Sequence, residues 1–159
     1  MNTTERTNTT EKRTFEKRTK TRKGPKREKN MTTEERMELG AKFKREMNCC
    51  QAVVMAFADT VPLDESMLTN LGAGFGAGMG TMEGTCGALV GAIMVAGLRS
   101  GGAGTMALSR KILPRFKELC GGATICRDLK GIDTGKVICP CDDCVRNAVR
   151  AAVETWNPQ

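Results

Sequence analysis

The sequence predicts an all-α fold: a small bundle of five to six helices with a glycine-rich loop and a disordered basic tail at its N-terminus. Its apolar residues are mainly Ala, Val, Leu, Ile and ten Met, with only 4% aromatics, and such small or flexible side chains pack helices closely. Runs of β-branched residues of strand length are missing, whereas the C-terminal segment repeats its apolar residues with a helical period. A chain of 159 residues has room for one domain with a single core.

Residues 1–30 form the predicted tail and carry the whole basic excess of the chain. They hold eleven Lys and Arg against four Glu, whereas residues 31–159 hold fourteen basic and fourteen acidic residues. The tail shows no apolar period, so burial cannot offset the entropy cost of ordering it. We interpret it either as an arm for nucleic acid or an acidic partner, or as an extension upstream of a true start at Met31. The helical domain of residues 31–159 is neutral overall, so we do not expect it to bind nucleic acid.

Two helices are predicted at the start of this domain. Thr32 and Glu35 form a capping box, and apolar residues follow at four-residue spacing as far as Met47, which predicts a first helix over about 33–47. Asn48 interrupts that helix, and "CCQAVVMAFAD" forms the second one.

The third helix and the glycine-rich loop follow. "LDESMLTNLG" has Asp64 as a suitable N-cap and Gly72 as a C-terminal stop, which predicts a short helix. In "GAGFGAGMGTMEG", residues 72–84, seven of the first nine residues are Gly or Ala, too many for a stable helix or strand. We interpret this segment as a loop whose backbone approaches a bulky group.

The remaining segments complete the bundle. "GTCGALVGAIMVAGL" is an apolar helix capped by Thr85, and its Gly87 and Gly91 lie four residues apart on one face. Thr105 caps the next helix, "MALSRKILPRFKELC", and Thr124 starts a short turn over "ICRDLKGID". The last segment, "CPCDDCVRNAVRAAVETW", has the clearest amphipathic pattern of the chain. Its apolar face consists of Val145, Ala148, Val149, Ala152, Val153 and Trp156.

Eight cysteines and the absence of histidine decide which chemistry is open to the chain. No secretory signal is visible in residues 1–30, and the longest apolar run, residues 86–98, is shorter than the about 18 residues that suggest a membrane span. We therefore expect a cytoplasmic protein without a membrane partner, in which reduced thiols serve metal, cluster or redox chemistry. Without histidine, the choices are an iron–sulfur cluster, a four-cysteine zinc site or a thiol/disulfide pair.

Four cysteines lie at or within two residues of a predicted helix N-terminus. They are Cys49, Cys86, Cys126 and Cys141. Free N–H groups and the positive end of the helix dipole stabilise a thiolate there and lower its pKa from about 8.5 toward neutrality. Any one cysteine more often packs as a small buried hydrophobe, and we assign Cys120, at the end of its helix, to the core. Because four thiols share this position beside glycine-rich segments, we predict one shared site, with Gly87 clearing space for it.

Four segments carry a family resemblance: "MNCCQAV", "GFGAGMGTMEGTCGALVGAIMVAGL", "ICRDLKGID" and "CDDCVRNA". They resemble a family of redox-active proteins named for cysteines in a C, CGAxxG, C, C arrangement (C_GCAxxG_C_C), which is related to the iron–sulfur part of split-Soret cytochromes. The resemblance covers roughly Glu34 to Trp156 and places Cys49, Cys86 with Gly87, and Cys126 in motif positions. The fourth family cysteine lies four residues before the valine of a V-R-x-A segment. That spacing selects Cys141, with Cys139 or Cys144 as substitutes.

The resemblance implies a redox-active cysteine site in an all-α domain, and we expect its four thiolates to bind an iron–sulfur cluster for electron transfer. The sequence does not identify the electron donor or acceptor protein. Zinc is the alternative cofactor, and a thiol/disulfide oxidoreductase that cycles Cys141 with Cys144, or Cys49 with Cys86, is the alternative activity. A glycine-faced helix suits a subunit contact as well as an internal one, so a homodimer is a further expectation.

Overall fold

The structure is a computed structural model that describes residues 31–156, so the predicted tail of residues 1–30 lies outside it. The described residues form seven α-helices. Six of them are the predicted helices, and the seventh replaces the short turn predicted over "ICRDLKGID". The described residues contain no strand apart from one isolated bridge between Thr85 and Ile125. The helices are α1 (Thr33–Lys44), α2 (Cys49–Ala56), α3 (Glu65–Gly72), α4 (Gly87–Ser100), α5 (Thr105–Leu119), α6 (Cys126–Lys130) and α7 (Cys141–Trp156), with a 3-10 turn at Ala73–Phe75. The prediction of an all-α fold is confirmed.

The core lies between α2, α4 and α7, whose buried faces pack against one another. Helix α1 packs on α2 and α7, and α5 packs on α4 and α7. The apolar face predicted for α7 is confirmed. Val145, Ala148, Val149 and Ala152 are buried, and Val153 and Trp156 are partly buried against the core. None of the helices within residues 31–156 has both the length and the apolar character that a membrane crossing requires.

Capping boxes define the starts of the first two helices. The Glu35 N–H donates to the Thr32 hydroxyl at 3.2 Å, and the Thr32 N–H donates to the Glu35 carboxylate at 2.8 Å, as predicted. Asn48 and Gln51 form a second box, with distances of 3.0 and 3.1 Å. The second box fixes the start of α2 at Cys49, so a local sequence signal positions the first thiol of the predicted site.

Both of these helices end earlier than predicted. Helix α1 ends at Lys44 rather than Met47, because the residue before α2 must be extended in order to cap it. Helix α2 ends at Ala56 rather than Asp59. The Asp59 carboxylate instead accepts two hydrogen bonds from the buried Arg36 guanidinium, at 2.7 and 2.9 Å, which ties the loop after α2 to α1.

The predicted caps of the later helices are correct for α3 and wrong for α4 and α5. Asp64 caps α3 as predicted. The N-cap of α4 is Cys86, because Thr85 pairs with Ile125 in the isolated bridge and is not free to cap. Thr105 is the first residue of α5 rather than its cap, since a glycine with φ of 69° precedes it.

Candidate metal centre

The four cysteines predicted to share a site line one pocket of about 210 Å³. Each stands at the start of a different helix: Cys49 begins α2, Cys86 is the N-cap of α4, Cys126 begins α6 and Cys141 begins α7. The other lining residues are Lys44, Asn48, Ala77, Met82, Gly87 and Lys130. This four-cysteine pocket therefore combines four thiols with two lysines, and no carboxylate of the described residues lines it.

The isolated bridge holds the starts of α4 and α6 side by side. The Cys86 N–H donates to the Thr124 carbonyl at 2.8 Å, and the Cys126 N–H donates to the Gly84 carbonyl at 3.0 Å. Both bonds use the backbone of the cysteines themselves. The backbone positions of the two cysteines are therefore fixed relative to each other.

The glycine-rich loop of residues 72–84 packs against this site. A Cβ added at Gly76 would lie 2.6 Å from the Asn48 Cβ, and one added at Gly78, which has a φ of 57°, would lie 2.7 Å from the Cys126 Cβ. Real Cβ atoms do not approach so closely, so glycine is required at both positions. The close approach predicted for this loop is thus made to the protein's own residues around the pocket.

The glycine face of α4 (Gly87 and Gly91) packs inside the chain. A Cβ at Gly87 would overlap the Phe75 carbonyl oxygen, and one at Gly91 would lie 2.8 Å from the Cys50 carbonyl oxygen. Gly87 therefore makes space for the loop and for α2 as well as lining the pocket. A homodimer stays a prediction and would need another surface.

Cys141 is the pocket thiol whose pKa the site lowers. A hydrogen bond with Cys49 and the positive charge of Lys130 outweigh the effect of partial burial and lower the pKa of Cys141 to about 5. The same hydrogen bond, together with burial, raises the pKa of Cys49 above its usual range. These opposite shifts belong to the coupled pair of Cys49 and Cys141, which favours one negative charge shared between its two sulfurs over two charged thiolates.

The predicted lowering of the pKa is wrong for the other three pocket thiols. A hydrogen bond with Cys144 and burial raise the pKa of Cys86, although the N–H groups of Ala88 and Leu89 act in the opposite direction. Burial and the neighbouring Cys86 raise the pKa of Cys126. The helix N-terminus does favour the Cys86 thiolate, but desolvation and the crowding of thiols cost more in the absence of a bound cation.

Lys130 connects the four-cysteine pocket with a second group of thiols. Its ammonium lines the pocket, donates to the Cys139 carbonyl at 2.6 Å and donates to the Cys144 sulfur at 3.4 Å. Burial lowers the pKa of Lys130, but its electrostatic interactions and hydrogen bond with the sulfurs of Cys144 and Cys141 outweigh burial and raise the pKa to about 12. Lys130 therefore stays protonated and supplies positive charge to both groups.

The second group consists of Cys120, Cys139 and Cys144, and sequence reasoning missed it. Their sulfur atoms all lie within 4.8 Å of one another, and within residues 31–156 the four pocket cysteines do not form so compact a group. The sequence assigns Cys120 to the core and treats Cys139 and Cys144 as substitutes for Cys141. The spacing of the last thiols is visible in the sequence, but the approach of Cys120 from the end of α5 is a long-range contact that no local signal predicts.

A comparison with protein families matches residues 47–155, more than half of the chain, to a model described as "Putative redox-active protein (C_GCAxxG_C_C)". The matched range contains all eight cysteines. Neither the curated proteins nor the solved structures that were compared gave a match. The relationship to split-Soret cytochromes stays a prediction.

Proposed function

We propose that this chain, which belongs to the C_GCAxxG_C_C family, binds an iron–sulfur cluster through the four thiols of its pocket and transfers electrons. The thiols are those of Cys49, Cys86, Cys126 and Cys141. The observation that carries this proposal is that four helix starts from distant parts of the chain bring four thiols to one pocket. A cluster held there supplies one-electron transfer at a potential that the surrounding protein sets.

The pocket residues fit such a group in number, type and space. Iron–sulfur clusters are held by cysteine thiolates, commonly four. The pocket offers four thiols, and the chain has no histidine to replace them. A single bound water needs about 10–15 Å³ of accessible volume, so a pocket of about 210 Å³ accepts a group of several atoms.

Positive groups beside the pocket offset part of the cost of ionising its thiols. Cys49 and Cys86 resist ionisation because burial and neighbouring thiols disfavour their charged forms. Lys44 and Lys130 place positive charge beside the thiols, and the first amides of α4 donate to the Cys86 sulfur. These groups offset part of the repulsion among thiolates, and the Met82 side chain adds an apolar surface to the pocket lining.

Metal analysis of protein made without oxygen tests the proposal. We expect full-length protein to be brown and to contain iron and acid-labile sulfide in nearly equal amounts. Single serine variants of the four pocket cysteines are expected to lose most of both. Cys50→Ser is the matched control, because Cys50 is fully buried but does not line the pocket, and we expect it to retain iron and sulfide.

Three results would contradict the proposal. Colourless protein without sulfide after anaerobic reconstitution would overturn it. Zinc in place of iron and sulfide, lost in the serine variants of the four pocket cysteines and without a redox change, would identify a structural four-cysteine site instead. A reversible two-electron change without metal, with one thiol that alkylates rapidly near neutral pH, would identify a thiol/disulfide oxidoreductase.

A further inference from the structure

We propose that the three buried thiols of Cys120, Cys139 and Cys144 form a second metal site, the buried trithiol site, which binds one thiophilic divalent cation of the zinc class. The site shares none of its thiols with the four-cysteine pocket. Although Lys130 and the contact of Cys144 with Cys86 join the two groups, the proposed ligands differ, so the site can be tested whether or not the iron–sulfur cluster exists.

The three sulfur atoms already lie close to ligand positions. All of them are within 4.8 Å of one another. Zinc–sulfur bonds of about 2.3 Å place the sulfurs of a tetrahedral site about 3.8 Å apart, so a side-chain movement of less than about 1 Å completes the geometry. The residues are 1%, 4% and 0% exposed, which leaves little access for water to compete as a ligand.

Backbone contacts fix the three thiols in place. Cys120 follows the last turn of α5, where its N–H donates to the Phe116 carbonyl at 2.9 Å. The Cys139 N–H donates to the Leu129 carbonyl at 3.2 Å, and Cys144 lies in the first turn of α7. Because each thiol has a separate anchor, little ordering entropy remains to be lost when a metal binds.

Each sulfur of the site also receives a polar hydrogen bond. The Asn147 amide donates to the Cys120 sulfur at 3.4 Å and to the Cys139 sulfur at 3.8 Å, and the Lys130 ammonium donates to the Cys144 sulfur at 3.4 Å. Cysteines that merely pack as small hydrophobes need no such donors. Donors of this kind orient the ligands and stabilise thiolates, which is how outer groups support a metal site.

The charge of the site selects a divalent ion. Three thiolates and a divalent cation leave one negative charge, and a monovalent cation leaves two, beside a Lys130 ammonium that the site shares with the four-cysteine pocket. A net charge in the buried interior is costly. Thiolate ligands favour soft metals such as zinc and monovalent copper, and the charge balance favours zinc of the two.

Zinc binding by full-length protein tests the site once the four-cysteine pocket is disabled. Cys49→Ser with Cys126→Ser removes two pocket thiols, and this protein is prepared reduced, anaerobic and free of metal. We expect it to take up one equivalent of Zn²⁺ in competition with a chromophoric chelator. Adding Cys120→Ser and Cys139→Ser is expected to abolish that binding, whereas adding Cys50→Ser is expected to leave it unchanged.

A second measurement covers the case in which the serine variants do not fold. X-ray absorption at the zinc edge of the pocket-disabled protein is expected to show three sulfur ligands, and Asn147→Leu, which keeps every thiol, is expected to weaken zinc binding about 10- to 100-fold. Three results would overturn the site: no stoichiometric zinc, fewer than three sulfur ligands, or an equal loss with Cys50→Ser. Uptake of monovalent copper without zinc would overturn the choice of ion and the charge argument with it.

Discussion

Gly87→Ala tests whether backbone contacts fix the glycine face of α4. A Cβ at Gly87 would overlap the Phe75 carbonyl oxygen and lie 3.3 Å from the backbone nitrogen of Cys50. Backbone atoms of packed elements cannot rotate away as side chains do, so α4, the loop and α2 must separate. Overpacking of this kind costs about 1–3 kcal/mol, and replacing glycine in a helix returns about 0.5–1 kcal/mol. We expect the free energy of unfolding to fall by about 1–2 kcal/mol.

Gly97→Ala is the matched control on the same helix. A Cβ at Gly97 would lie 3.6 Å from the Thr105 methyl carbon, an ordinary contact, so this variant is expected to gain about 0.5–1 kcal/mol. Urea unfolding of reduced, metal-free protein should separate the two variants by about 1.5–3 kcal/mol, or roughly 10- to 150-fold in the unfolding equilibrium. Equal stabilities, or a more stable Gly87→Ala protein, would refute the packing argument.

Two further changes test the charged groups. Arg36→Ala is expected to lower the free energy of unfolding by about 3–5 kcal/mol, because it removes the two hydrogen bonds that the buried guanidinium donates to Asp59. Arg146→Ala is the control, because it breaks a more exposed ion pair with Glu38. In the same urea assay it should change the free energy of unfolding by less than about 1 kcal/mol. Lys130→Met is expected to raise the pKa of Cys141, because the ammonium acts with a thiol hydrogen bond to hold that pKa down. Alkylation of Cys141 in metal-free protein should then begin at higher pH, and an unchanged pH profile would contradict this assignment.

The features that the sequence predicts correctly depend on neighbouring residues. The box of Thr32 and Glu35, the Asp64 cap and the apolar face of α7 each lie within one short segment, where spacing alone determines which groups can meet. The helix-start positions of the cysteines are of the same kind. Local signals do not show which helix starts meet in the packed bundle. The resemblance to a family indicated which four cysteines share a pocket, which periodicity alone could not do.

The features that the sequence does not predict depend on distant contacts. Thr85 does not cap α4 because it forms a β-bridge with Ile125, which lies forty residues further along the chain. The thiol pKa values depend on which other thiols lie beside each sulfur, and no spacing rule reveals that Cys86 meets Cys144. Cys120 joins two later cysteines for the same reason, through the packing of α5 against α7.

The first turn of α7 serves both groups of thiols, and this determines which substitutions can separate them. Cys141, its first residue, lines the four-cysteine pocket, while Cys144, three residues later, belongs to the buried trithiol site and contacts Cys86 of the pocket. A change at Cys144 therefore perturbs both groups and cannot assign a metal to either. Cys139 lies outside the pocket lining, so Cys139→Ser reports on the buried site alone, just as Cys126→Ser reports on the pocket.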